Sequence, residues 1–177
     1  FTRNGLEIVD VERIPIHGGT LRLFVSNQGV STASGAVQAI LTDESEIGMH
    51  RYGYYEGFAQ RIEALKTSLR KTLIDLIFQG KTIAGYGAAA KGAVLLNYFE
   101  LGSAEISYVV DRNPAKQSRF MPGVQIPISS PARLLGQKPD YLLLLAWNFA
   151  DEIIRQQAEF AKTGGKFIIP VPEVKII

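Results

Sequence analysis

The stretch Ala84–Phe99, AGYGAAAKGAVLLNYF, decides how the rest of the chain is read. An apolar run, KTIAGYG, breaks at glycines and passes straight into a sequence with small residues first and Val94, Leu95, Leu96 and Phe99 later. That is a short buried strand turning sharply into a helix. Gly85, Gly87 and Ala90 fit the spacing G-x-G-x-x-G/A, which such a turn uses when helix-start amides meet a phosphate. Gly85 is expected to permit the tight turn, Gly87 to let a ligand approach the main chain, and Ala90 to keep helix and strand close. Lys91 adds a cation beside the same helix start, where an anion would be welcome. The alternative is that these small residues serve close packing only.

Working outward, the same alternation recurs. After the helix come a strand in ISYVVDRN, a short helix in PARLLGQ, a strand in KPDYLLLLAWN, a helix in ADEIIRQQAEFAKTGG and a strand in KFIIPVP. Pro170 and Pro172 suggest an edge or terminal position for that last strand. Upstream, Phe58, Ile62, Leu65, Leu69, Leu73, Leu76 and Ile77 fall at steps of three and four on one long helix from Tyr54 to Phe78, with Gly80 as its stop. Alternating strands and helices predict an α/β fold of Rossmann-like, doubly wound type: a mostly parallel sheet with helices on both faces. The N-terminal LEIVDVERIPIHGGTLRLFVSN alternates apolar and polar residues on both sides of Gly18–Gly19 and predicts a hairpin of half-buried strands. Residues 30–49 are weakly patterned and read as loop with a helical turn. The organisation expected is therefore an N-terminal β element over 1–29 and a Rossmann-like domain over 30–177.

Composition narrows the function. With no cysteine there is no disulfide, thiolate nucleophile or cysteine metal site, and no metal ligand set is expected. Nineteen Lys and Arg against seventeen Asp and Glu, dispersed along 177 residues, make nucleic acid an unlikely partner. The longest apolar runs are too short to span a bilayer, so no membrane association is expected, and a cytoplasmic location fits. The opening at Phe1, close to a strand pattern, reads as a piece of a longer polypeptide.

Asp111 closes the second strand of the α/β body, where this type of fold places an acid that binds ribose hydroxyls. With Arg112, Asn113 and Pro114 it equally forms a helix-capping turn. Trp147 and Asn148 end the third strand, where carboxyl-terminal strand ends meet a ligand; Trp147 either stacks on a ring or packs in the core, and Asn148 either bonds the ligand or caps the following helix. Glu152 follows in that helix's first turn, and Arg119 and Met121 sit in a segment read as a loop over the crevice. His17, beside two glycines at a strand end, is chemically suited to be a general base, or is a satisfied structural histidine. His50 reads as a surface-loop residue.

HGGTLRLFV, GYGAAAKGAVLLNYF, YVVDRNPAKQSRFMPGVQIPI, KPDYLLLLAWNFADEI and GGKFIIPVPEV together resemble the C-terminal domain of the sugar C-methyltransferases that act on TDP-linked 4-keto-6-deoxysugars. The likeness runs from about His17 to Val174. It implies a three-part enzyme with an N-terminal zinc-binding region, a middle S-adenosylmethionine (SAM) domain and a C-terminal nucleotide-sugar domain, of which this chain is the third. SAM is then bound by a domain outside this chain, no cofactor is expected within it, and the isolated fragment is inactive. Gly85, Tyr86, Gly87, Ala88, Ala90, Lys91, Asp111, Arg112, Trp147 and Asn148 are the implied substrate contacts. His17, or a tyrosine or histidine of the SAM domain, is the implied base that removes a proton next to the ketone. The competing functions are an NAD(P)-dependent oxidoreductase, suggested by the glycine spacing with Asp111, and a non-catalytic nucleotide-binding domain.

Overall fold

The protein is described from a computed structural model that covers residues 1–16 and 18–177. It divides into two compact units, residues 1–60 and 61–177.

In the first unit, β1 (Leu6–Ile14) and β2 (Thr20–Asn27) form the expected antiparallel hairpin. The pairing slips between Ile8 and Asp10, and the carbonyl of Val9 in that bulge accepts the amide of Ser34 at 2.7 Å. The sequence predicts two half-buried strands, but Leu21, Leu23, Phe24 and Val25 of β2 are exposed. Residues 30–49, read as mostly loop, instead contain α1 (Gly35–Glu46). Its half-buried positions Val37, Ile40 and Glu44 fall at steps of three and four. A helix that covers only a two-stranded ribbon needs few apolar residues, which is why its pattern is faint. Two contacts tie it to β1, from Ser34 Oγ to Asp10 at 2.5 Å and from Arg13 to Asp43 at 2.9 Å. These contacts place α1 with the hairpin, so the compact units part at 60/61.

The long helix expected over Tyr54–Phe78 is broken at Gly57 into α2 (Gly53–Glu56) and α3 (Phe58–Phe78). In α3, Leu69, Leu73 and Leu76 are buried, as the spacing requires. Gly80 ends the helix in the left-handed conformation at φ 74°; its amide bonds Ile77 O, and the amide of Lys81 bonds Leu76 O, the paired closure that satisfies the last carbonyls.

The second unit is a six-stranded sheet made of β3 (Ile83–Tyr86), β4 (Val109–Val110), β5 (Ile128–Ser129), β6 (Tyr141–Leu144), β7 (Lys166–Ile169) and β8 (Lys175–Ile176). Its order is β5-β4-β3-β6-β7-β8, all parallel except β8. Helices α4 (Ala90–Tyr98), α5 (Ala132–Gln137), α6 (Ala150–Gln156) and α7 (Ala158–Lys162) lie along the connections. The last predicted helix is thus split at Gln157. The predicted edge position of the KFIIPVP strand is not observed: β7 is internal, between β6 and β8, and Pro170 lies just beyond its end.

Strand period two sorts the core into two layers. Ile83, Val109, Leu143, Leu145 and Ile168 join the buried leucines of α3 and α4 on one side. Ala84, Tyr86, Val110, Leu142, Leu144 and Phe167 join Leu134 of α5, Ile153 of α6 and Phe160 of α7 on the other. A sheet buried on both faces explains the unbroken apolar runs. The chain leaves β3 toward β4 and β5, then returns to the far side of β3 as β6, so the strand order reverses between β3 and β6. Ligands of open α/β sheets bind at that reversal, beyond the strands' carboxyl ends.

Candidate functional site

The glycine turn sits at this reversal. Gly85 lies within β3, and a Cβ there would stand 3.0 Å from Val109 Cγ2 and 3.2 Å from Leu145 Cδ1, so its smallness serves packing. Gly87 carries the turn at φ 94°, and its missing Cβ faces Ala146 Cβ at 2.9 Å. The expectation for Ala90 is corrected. Ala90 is exposed, and Gly92 is the residue that brings α4 onto the sheet, since a Cβ on it would lie 2.7 Å from Leu145 Cβ and 3.2 Å from Leu145 O.

The turn's own amides point inward. Gly85 N–H bonds Tyr108 O, Gly87 N–H bonds Val110 O and Ala89 N–H bonds Gly87 O, each at 2.8 Å. Ala88 N–H bonds Asp111 Oδ2 at 2.7 Å. Among the described residues nothing bonds the first-turn amides of α4, those of Ala90, Lys91 and Gly92: Ala89 at the cap is extended and no side-chain bond caps the helix. Asp111, which the sequence left between ribose binding and a turn, is a turn residue here. It is buried, its Oδ1 accepts Asn113 N–H at 2.8 Å, and Lys116 Nζ lies 3.2 Å from Oδ2. Lys116 also donates to Ala88 O at 2.9 Å, so one lysine and one carboxylate clasp the turn from β4.

Lys91 is placed against its own electrostatics. It occupies the positive end of α4, burial pushes its pKa down, and no carboxylate pairs with it among the described residues. Its Nζ donates to Asn148 Oδ1 and stands 4.6 Å from the centre of the Trp147 ring. Asn148 is not the cap of α6; Phe149 holds that position. Asn148 Nδ2 is buried and has no partner among the described residues. Trp147 is half-buried and packs on the α3/α4 side of the core. A desolvated cation, an uncapped helix start and an orphaned amide donor thus sit together. Helix-start amides, a cation and an amide donor in one place are the chemistry that an anion requires.

Two hollows flank it. One, of about 260 Å³, is lined by Tyr86, Gly87, Asp111, Arg112, Phe149 and Glu152 among others. Tyr86 Oη accepts Gln157 Nε2 at 3.4 Å, and burial raises its pKa. Glu152 accepts Gln156 Nε2 at 2.6 Å. The second hollow, of about 370 Å³, runs past Trp147, Asn148 and Asp151 to Lys175, and shares Phe149 and Glu152 with the first. Arg119 instead edges a recess of about 220 Å³ against Ala88, Ala89, Ala90 and Ala93, and Met121 is a core residue, 1% exposed, so that segment is only partly a surface loop. His50 is exposed and accepts Arg51 Nε at 3.2 Å. His17 lies outside the described residues.

Residues 15–172 match the family described as the C-methyltransferase C-terminal domain. The chain belongs to this family. Along its whole length it is 40% identical to the C-methyltransferase NovU of Streptomyces niveus, and it spans 42% of that relative's length. Within this C-methyltransferase C-terminal domain, sequence reasoning brought Gly85, Tyr86, Gly87, Ala88, Lys91, Asp111, Arg112, Trp147 and Asn148 to one corner, and the structure gathers them there. It missed Gly92 and Phe149. A glycine inside a helix is itself a signal of close packing, and Gly92 was legible on that ground.

Proposed function

We propose that this domain binds the nucleotide-sugar substrate of a SAM-dependent C-methyltransferase that methylates the carbon next to the ketone of a TDP-4-keto-6-deoxysugar. The observation that carries the reading is Lys91 held without a carboxylate at the uncapped start of α4. A diphosphate there would accept the amides of Ala90, Lys91 and Gly92 and relieve the lysine's desolvation. The nucleoside and the sugar then extend into the two hollows on either side of Phe149.

The same corner does not suit SAM, whose sulfonium would meet Lys91 and the positive end of the helix. We therefore assign SAM, and the zinc-binding region, to other parts of a longer polypeptide. A match spanning 42% of NovU leaves room for them. This chain's task is to bind and orient the ketosugar so that the acidic C–H faces the methyl donor. The base is either His17 or a group of the SAM domain, and turnover of a full-length His17→Ala enzyme separates the two. The isolated chain would bind substrate without transferring a methyl group, in the cytoplasm; no helix among the described residues is long and apolar enough to cross a membrane.

The oxidoreductase alternative needs Asp111 to grip a ribose diol, and that carboxylate is already engaged by Ala88, Asn113 and Lys116. Calorimetric titration with a TDP-4-keto-6-deoxysugar tests the reading. Saturable binding supports it, and binding of NADH with none of the sugar nucleotide refutes it.

A further inference from the structure

Resting on the diphosphate reading above, we infer that Lys116 is a positioning residue for the anion: it does not touch the ligand, but cancels the negative charge that Asp111 brings to the start of α4. The turn before α4 holds two opposed demands. Its shape depends on a carboxylate, because Asp111 Oδ2 accepts Ala88 N–H at 2.7 Å and Oδ1 accepts Asn113 N–H at 2.8 Å. That carboxylate is buried, its side chain 12% exposed, and it is bonded to the chain two residues before Ala90, whose amide a diphosphate would use. Left alone, it repels the same anion that the helix start attracts.

Lys116 reconciles the two. Its Nζ lies 3.2 Å from Asp111 Oδ2 and donates to Ala88 O at 2.9 Å, so one ammonium covers both the carboxylate and the carbonyl of the turn. Gln117 Nε2 donates to Asp111 O at 2.9 Å and fastens the segment that carries Lys116 to the end of β4. The same lysine lines the 220 Å³ recess with Ala89 and Ala90, so its charge lies beside the start of α4. The two lysines at this corner therefore have different tasks. Lys91, bonded to the neutral amide of Asn148, brings its whole charge to the anion, whereas the charge of Lys116 is committed to Asp111.

Calorimetric titration of the 177-residue chain with inorganic pyrophosphate, in a double-mutant cycle between Lys116 and Asp111, tests this. Lys116→Met leaves the carboxylate unpaired and should weaken binding by about tenfold, the effect of one uncompensated charge beside a multiply charged anion. Adding Asp111→Asn removes that charge, while the amide oxygen still accepts Ala88 N–H. The double variant should therefore bind within about threefold of the parent. Lys116→Arg keeps the charge and the donors, and should also stay within about threefold. A lysine with a merely structural role gives no such rescue, because the second substitution takes a further bond, the one to Asn113 N–H, from the turn. Undiminished binding by Lys116→Met, or a loss that persists in the double variant, overturns the inference; the second result would make Lys116 itself a ligand of the anion. Should Lys116→Met fail to fold, as read from its far-UV circular dichroism, the double variant decides: affinity within about threefold of the parent supports the inference, and a loss of about tenfold overturns it. A parent chain that does not bind pyrophosphate overturns the diphosphate reading as well.

Discussion

Two glycines lie inside helices of the α/β unit, and the structure assigns them opposite effects on substitution by alanine. Gly92→Ala puts a methyl carbon 2.7 Å from Leu145 Cβ and 3.2 Å from Leu145 O. Neither atom can rotate away, and Leu145 is fully buried. Overpacking of this kind costs about 1–3 kcal/mol, and contact between two fixed atoms belongs at about 3 kcal/mol. Against this, alanine gains about 1 kcal/mol over glycine in a helix. The net is about 2 kcal/mol of destabilisation, which for a chain of this size lowers the melting temperature by roughly 4–8 °C. Gly136→Ala in α5 meets nothing within 4 Å, keeps the helical gain, and should raise the melting temperature by about 2 °C. Thermal melts of both variants by far-UV circular dichroism, against the parent, are the assay. A Gly92→Ala protein as stable as the parent would refute the claim that the absent Cβ sets the approach of α4 to β6, and with it the argument for where the helix amides point.

Lys91→Met should weaken diphosphate binding by about tenfold or more while moving the melting temperature by less than about 3 °C, because the lost lysine was both desolvated and opposed to the helix dipole. Trp147 is the single tryptophan and lies under Lys91, so binding of pyrophosphate should change its fluorescence, and Lys91→Met should abolish that change. Asp140 joins the starts of β3 and β6 by accepting the amide and hydroxyl of Thr82, each at 2.9 Å, and these bonds hold its pKa below the ordinary 3.8. A lowered pKa in the folded state gives stability that is present above 3.8 and lost as pH falls through the folded value. The deficit of Asp140→Asn in melting temperature should therefore be visible at pH 7 and shrink as pH drops below 3.8; a deficit independent of pH would contradict the assignment.

The strand–turn–helix at Ile83–Tyr98 and the parallel sheet around it are legible because both faces of β3 and β6 are buried, leaving apolar runs that only glycine interrupts. The strand β5, two residues next to Pro127, and β8, two exposed residues, carry too little pattern to be read. Helix α1 is hidden because it covers a ribbon with half-buried residues only. At the site, residue identity located the corner but not its bonding. Asp111 has the side chain of a ribose reader, and only its neighbours' geometry shows it spent on Ala88 and Asn113. Asn148 looks like a helix cap, yet it is turned to Lys91, which sits 57 positions earlier in sequence. Hydrogen-bond commitments across such separations leave no local pattern to read.

The central claim is that the start of α4 holds the diphosphate of a sugar nucleotide. Parallel calorimetric titrations of parent and Lys91→Met with a TDP-4-keto-6-deoxysugar test it most directly. The account predicts saturable binding by the parent, weakened about tenfold or more in the variant, with no heat from NADH. Equal affinity in the two proteins, or NADH binding in place of the sugar nucleotide, would contradict it.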